Sequence, residues 1–210
     1  MIDLDQLSPA DLSALLCSRI CHDIISPVGA INNGLELLEE EGMDEAAMGL
    51  ITDSAANAAA RLQFLRIAFG AAGSAGVQID TGDAETVAMG WMAKEKPEFS
   101  WQSDRALMPK NKVKLVLNLL IVAVASIPRG GEVKLQIDGA LTDEPKIHVK
   151  ASGKLKRIPR HFQDMVDGRP GEDPIDAHTV QFYYTLLLLR EAGMTLSIDM
   201  DDEWITYSAV

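Results

Sequence analysis

Cys17-Ser18-Arg19-Ile20-Cys21-His22-Asp23-Ile24-Ile25-Ser26-Pro27-Val28-Gly29 sets a histidine and a carboxylate within a run of helically spaced apolar residues. Advancing about 100° per residue, Cys17, Ile20, Ile24, Val28, Ile31, Leu35 and Leu38 fall on one broad stripe, the side expected to be buried. His22 falls opposite that stripe. It shares its face with Ser18, Arg19, Ser26, Gly29, Asn33 and Glu36, small or polar side chains that leave the imidazole open to a partner. Pro27 stands inside the same predicted helix, where its missing N–H leaves the Asp23 carbonyl without a donor, at about 3 kcal/mol. A cost of that size next to an exposed histidine marks a candidate reactive group. Asp23 is the neighbour expected to orient the ring at one nitrogen and leave the other nucleophilic.

Outward from this stretch, Ser8-Pro9-Ala10-Asp11 supplies an N-cap, a proline in the first helical turn and an early carboxylate. A helix is predicted from there to about Glu41, where Gly42 breaks it. Asp44-Glu45 open a second helix that runs through an alanine-rich segment to about Phe69, ahead of Gly70 and Gly73. Residues 1–73 therefore read as a helical hairpin with arms of up to roughly 50 Å. A two-helix arm cannot enclose its own stripe, so a homodimer joined through a four-helix bundle is expected.

Gly73-Ser-Ala-Gly76 reads as a joint, after which the elements shorten. Residues 77–210 suggest a helix through Val87 to Ala93 and a strand near Phe99 to Gln102. An apolar helix from Lys112 to Ile127 follows, then strands at Val133–Ile137 and Ile147–Ala151. A polar loop from Lys154 to Pro174 precedes a helix Val180–Ala192 and strands near Thr195–Asp199 and Trp204–Ser208. The fold class expected is α+β: an N-terminal hairpin followed by an α/β sandwich.

With 19 Lys plus Arg against 31 Asp plus Glu and a net charge of −12, the chain should repel nucleic-acid phosphates and anionic lipid. No nucleic-acid or membrane partner is expected. Two cysteines four residues apart on one helix are poorly placed to bridge each other, and the chain start lacks the features of a secretory signal, so a cytoplasmic location is expected.

His22, Asp23, Pro27 and Val28 resemble the H-box of sensor histidine kinases, H-[DE]-x-x-x-P followed by an apolar residue, on the first arm of a dimerising hairpin. The resemblance extends over nearly the whole chain and fails in three places. Asn118-Leu-Leu-Ile-Val122-Ala is similar to the kinase N-L-L-x-N-A segment, with Val122 where an asparagine would hold Mg2+; a valine offers no oxygen ligand. His148-Val-Lys-Ala151-Ser-Gly153-Lys-Leu155 resembles V-x-D-x-G-x-G, with Ala151 for the adenine-reading aspartate and Leu155 for a glycine. Asp176-Ala-His178-Thr-Val-Gln-Phe182 occupies the place of a glycine-rich phosphate loop without its glycines.

A hairpin with an H-box beside an ATP-binding (Bergerat) fold stripped in this way resembles the histidine phosphotransferases of a bacterial cell-cycle phosphorelay. The resemblance implies a phosphotransferase that relays a phosphoryl group through phospho-His22. The donor would be the receiver domain of a hybrid histidine kinase and the acceptors response-regulator receiver domains. It also implies Asp23 as the orienting residue, and Ser18, Arg19, Ser26, Gly29 and Asn33 as contacts of the phosphoryl group or the receiver. No cofactor and no ATP are expected on this chain, with Mg2+ supplied by the receiver.

Cys17, Cys21 and His22 do not converge on one helix face, and no metal site is expected. His148, His161 and His178 read as residues without a shared role, Trp91, Trp101 and Trp204 as packing residues, and Lys154 to Arg160 as a basic solvated loop. Two rival readings remain open: a pseudokinase-like signalling scaffold that carries no phosphate, and a kinase with an unusual nucleotide site.

Overall fold

Capping sets where the chain starts to wind. The Ser8 hydroxyl accepts from the Asp11 amide at 3.2 Å and donates to the Asp11 carboxylate at 2.6 Å. From this start helix α1 runs Pro9–Glu41, in a computed structural model that describes residues 2–41, 44–70, 78–169 and 174–210. Helix α2, Glu45–Ala68, begins at Asp44, whose carboxylate accepts from the Ala46 and Ala47 amides. Gly42, the expected break, and the expected joint at Gly73–Gly76 lie outside the described residues. The two helices pack closely at Gly34, where an added Cβ would stand 2.6 Å from Cγ1 of Ile51, so only a residue without a side chain allows that approach.

Beyond the hairpin the order is β1 (Gln78–Asp80), α3 (Thr81–Met92), β2 (Glu98–Ser103), β3 (Leu107–Pro109), α4 (Lys110–Ser126), β4 (Glu132–Asp138), β5 (Lys146–Ser152), α5 (Arg160–Asp167), α6 (Val180–Glu191), β6 (Leu196–Met200) and β7 (Ile205–Ala209). Strands β2-β4-β5-β7-β6 form a five-stranded sheet in that order, β2 and β4 parallel across the α4 connection and the other pairs antiparallel. Strands β1 and β3 form a separate antiparallel ribbon. Alternation explains the two layers. Val133, Leu135 and Ile137 of β4, Ile147, Val149 and Ala151 of β5, and Ile205, Tyr207 and Ala209 of β7 are buried under the helices, while Lys134, Lys146 and Lys150 are exposed on the other face.

The α+β expectation holds, and the predicted helices and strands recur within a few residues at most ends. Three elements differ. The ribbon strands β1 and β3 are three residues each, too short for alternation to show. The stretch expected as a loop from Lys154 to Pro174 contains α5, which buries Phe162 and Met165 three apart and stops at Gly168 with φ 71°.

The hairpin is joined to the α/β layers by packing and by polar ties. Phe64 of α2 lies against Trp91 of α3 with ring centroids 4.3 Å apart, and Phe64, Leu65, Ile67 and Ala68 belong to one continuous core with α3 and α4. Arg61 bridges Glu95 at 2.7 Å. Ahead of α1, Leu4 is buried with its carbonyl accepting from the Tyr183 hydroxyl, and the Ile2 amide donates to Met165.

Candidate phosphotransfer site

α1 continues through Pro27, which is buried, and presents His22 one turn earlier with 61% of its side chain exposed. Asp23 divides its carboxylate between two neighbours. Oδ1 stands 3.5 Å from Nδ1 of His22, and Oδ2 accepts from Nε of Arg19 at 2.9 Å. Asp23 and Arg19 are largely buried, with side chains 16% and 22% exposed. Arg19 therefore fixes the rotation of the carboxylate, and the carboxylate faces one nitrogen of the imidazole. A proton held at Nδ1 leaves the Nε2 lone pair as the nucleophile.

Arg19 does not share the open face with His22. Together with Asp23 it lines a cleft floored by Phe64, Leu65, Phe69 and Trp91, on the side of α1 turned toward the α/β layers. Ser18, Ser26 and Asn33 are exposed, and a Cβ placed on Gly29 would meet nothing within 4 Å. These four remain beside His22 as an unobstructed surface.

One residue at the site carried no sequence signal. His178 comes from the turn before α6, and its ring lies 4.8 Å from the His22 ring, centroid to centroid, with the planes at 82°. In sequence His148, His161 and His178 read as residues without a shared role, and that reading did not foresee this contact with His22. Its position rests on Asp176, whose Oδ1 accepts from the His178 amide at 2.9 Å, the Thr179 amide at 2.8 Å and the Thr179 hydroxyl at 2.8 Å. Burial works to raise the Asp176 carboxyl, but the hydrogen bonds from Thr179 and His178 outweigh it and hold the group below the usual carboxylate range.

The expected apolar stripe of α1 is only partly covered within the chain. Ile20 and Ile24 pack on the core, whereas Val28 and Leu35 are 42% and 48% exposed and Cys17 is also exposed. Ile25 adds a side chain 70% exposed. Between α1 and α2, Leu16, Cys17, Ile20, Leu62, Leu65 and Phe69 line an open apolar groove. Among the described residues no group of His, Cys, Asp and Glu could hold a metal ion.

Two of the positions that the kinase pattern gives to nucleotide are buried, whereas Leu155 is 39% exposed. Val122 and Ala151 are both 0% exposed, and so is Phe162 of α5, which packs against Phe182 and Tyr207. The Tyr207 hydroxyl meets the Ser126 hydroxyl at 2.7 Å, and burial pushes the phenol up to about 12. Asn118 turns to the protein interior, donating to the carbonyls of Ala68 and Lys114 at 3.0 and 2.9 Å and so tying the end of α2 to α4.

The histidine phosphotransferase C-terminal domain family matches residues 81–204. The chain belongs to the histidine phosphotransferases. It is 61% identical over 203 residues to the protein phosphotransferase ChpT of Brucella abortus (strain 2308), covering 97% of both chains. It is also 57% identical to a bacterial phosphotransferase of solved structure, with a TM-score of 0.93 over 98% of each chain. A phosphotransferase role follows from this membership.

Proposed function

We propose that this chain relays a phosphoryl group between receiver-domain aspartates through His22. The observation that carries the reading is the exposed imidazole with Nδ1 turned to Asp23, itself held by Arg19. The donor is the receiver domain of a hybrid histidine kinase, and the acceptors are response-regulator receivers of a bacterial cell-cycle phosphorelay in the cytoplasm. In the accepting step the Nε2 lone pair of His22 attacks phosphorus, the bond to the aspartyl oxygen breaks, and the carboxylate leaves with the electron pair. The Nδ1 proton stays in place, and Asp23 faces the positive charge that develops on the ring. Mg2+ and most of the charge stabilisation belong to the receiver.

ATP has no part in this reading. Full burial of Val122 and Ala151 supports that, since neither side chain is open to a ligand. A homodimer is part of the proposal, because Val28, Leu35 and the groove between α1 and α2 form an apolar surface that a second hairpin would cover. By length and composition alone α1 could also cross a membrane. The Arg19–Asp23 pair near its middle argues for a bundle, since an ionised side chain at the bilayer centre costs about 2.5–3.5 kcal/mol on insertion scales.

The test is to incubate the protein with phosphorylated receiver domains and follow the label. Acid-labile phosphate on the wild type and none on His22→Ala, with the variant still folded, is the expected result. A folded wild type that binds receivers and takes no label is a scaffold, and labelling by Mg-ATP alone would identify a kinase.

A further inference from the structure

We infer that His178 is a positioning residue for phosphoryl transfer at His22, delivered to the reactive imidazole by the α/β layer. The inference rests on His22 being the carrier proposed above. An imidazole exposed over 61% of its side chain and facing one carboxylate at 3.5 Å remains free to swing about its own side-chain bonds. The His178 ring lies against it, edge to face at 4.8 Å between centroids. His178 itself stands on a braced turn. Its amide is held by Asp176, the Val180 amide donates to the Asp176 carbonyl at 2.8 Å, and Val180 is buried at the start of α6. The wall beside His22 is therefore anchored in the sheet-covering layer.

Transfer requires the Nε2 lone pair to lie in line with the breaking P–O bond, and a ring rotated away from that line loses rate without losing receiver affinity. A wall on one flank narrows the rotation. Asp23 then decides which nitrogen keeps the proton, and His178 decides where the other points. On this reading the α/β domain takes part in the transfer by holding His178 against α1.

The full-length protein and its His178→Ala and His178→Phe variants separate these roles. Both substitutions fall at an exposed position and should leave the fold intact. With a phosphorylated receiver domain as donor, His178→Ala should slow single-turnover transfer about tenfold, with receiver affinity unchanged within about twofold. His178→Phe keeps a ring at the same place and should recover most of that rate. In NMR spectra of the imidazoles, the His22 ring resonances should move in His178→Ala and stay near their wild-type positions in His178→Phe. Wild-type transfer by His178→Ala, an unmoved His22 resonance, or a phenylalanine variant as slow as the alanine one would each overturn the inference. If wild-type His22 takes no phosphate at all, the carrier reading fails instead, and the resonances still report whether the two rings touch.

Discussion

Helices α1 and α4 are both rich in Leu, Ile and Val, yet they meet different surroundings. In α4, 11 of 17 residues are buried, including Lys114 and Asn118. In α1 the described buried residues are Pro27 and Gly34, and Ile25, Val28 and Leu35 remain exposed. α4 lies between the sheet and α6 and is enclosed by its own chain, whereas α1 rests on α2 and α6 and keeps a free flank. Similar apolarity thus gives a closed core in one region and an exposed flank in the other, on the helix that carries His22.

The largest effect expected on that comparison comes from charging the free flank. Val28→Asp together with Leu35→Asp would place unpaired carboxylates in the proposed bundle and should abolish the dimer, seen as a halved mass in light scattering. A wild-type chain that scatters as an active monomer would break the comparison from the other side.

In α4, Leu119→Ala should cost about 2–5 kcal/mol by opening a cavity in a fully enclosed site. Denaturation measured over a range of protein concentrations sharpens the contrast. The penalty at Leu119 should not depend on concentration, while stability lost on the α1 flank should, because association contributes to it.

Gly34→Ala probes a place where α1 is tightly held against α2. The new methyl meets Ile51 Cγ1 at 2.6 Å, and separating the two helices should cost about 1–3 kcal/mol in chemical denaturation.

The smallest effect concerns pH. Burial raises Tyr184 and Tyr207 from 10.0 to about 12, so the folded state favours the neutral phenols. Stability from this source is fully present below pH 10 and is lost as pH rises toward about 12. Tyr207→Phe should flatten part of that alkaline decline while costing about 1 kcal/mol at neutral pH for the lost bond to Ser126. An unchanged alkaline slope would show that the phenol is not shielded as described.

Local signals made much of the architecture legible. Ser8 caps the helix it was expected to cap, Asp44-Glu45 open the next one where expected, and strands β4 and β5 fall where they were read, because such signals are written within a few neighbouring residues. The helix α5 was readable in principle, since Phe162 and Met165 share a face and Gly168 closes it, but eight residues amid charge and glycine looked like loop.

What the sequence determined by itself is the local setting of His22: a histidine with a carboxylate beside it, opposite an apolar stripe, on a helix that runs through Pro27. Only tertiary structure decided what surrounds it. Arg19, read as part of the open face, turns inward to pair with Asp23 above Phe64 and Trp91. His178 arrives at the same imidazole from the far end of the chain. The reason is physical. Helical periodicity records which side of a helix a residue occupies, but the direction a long side chain takes and the identity of a neighbour from another layer depend on how α2, α3 and α6 pack around α1.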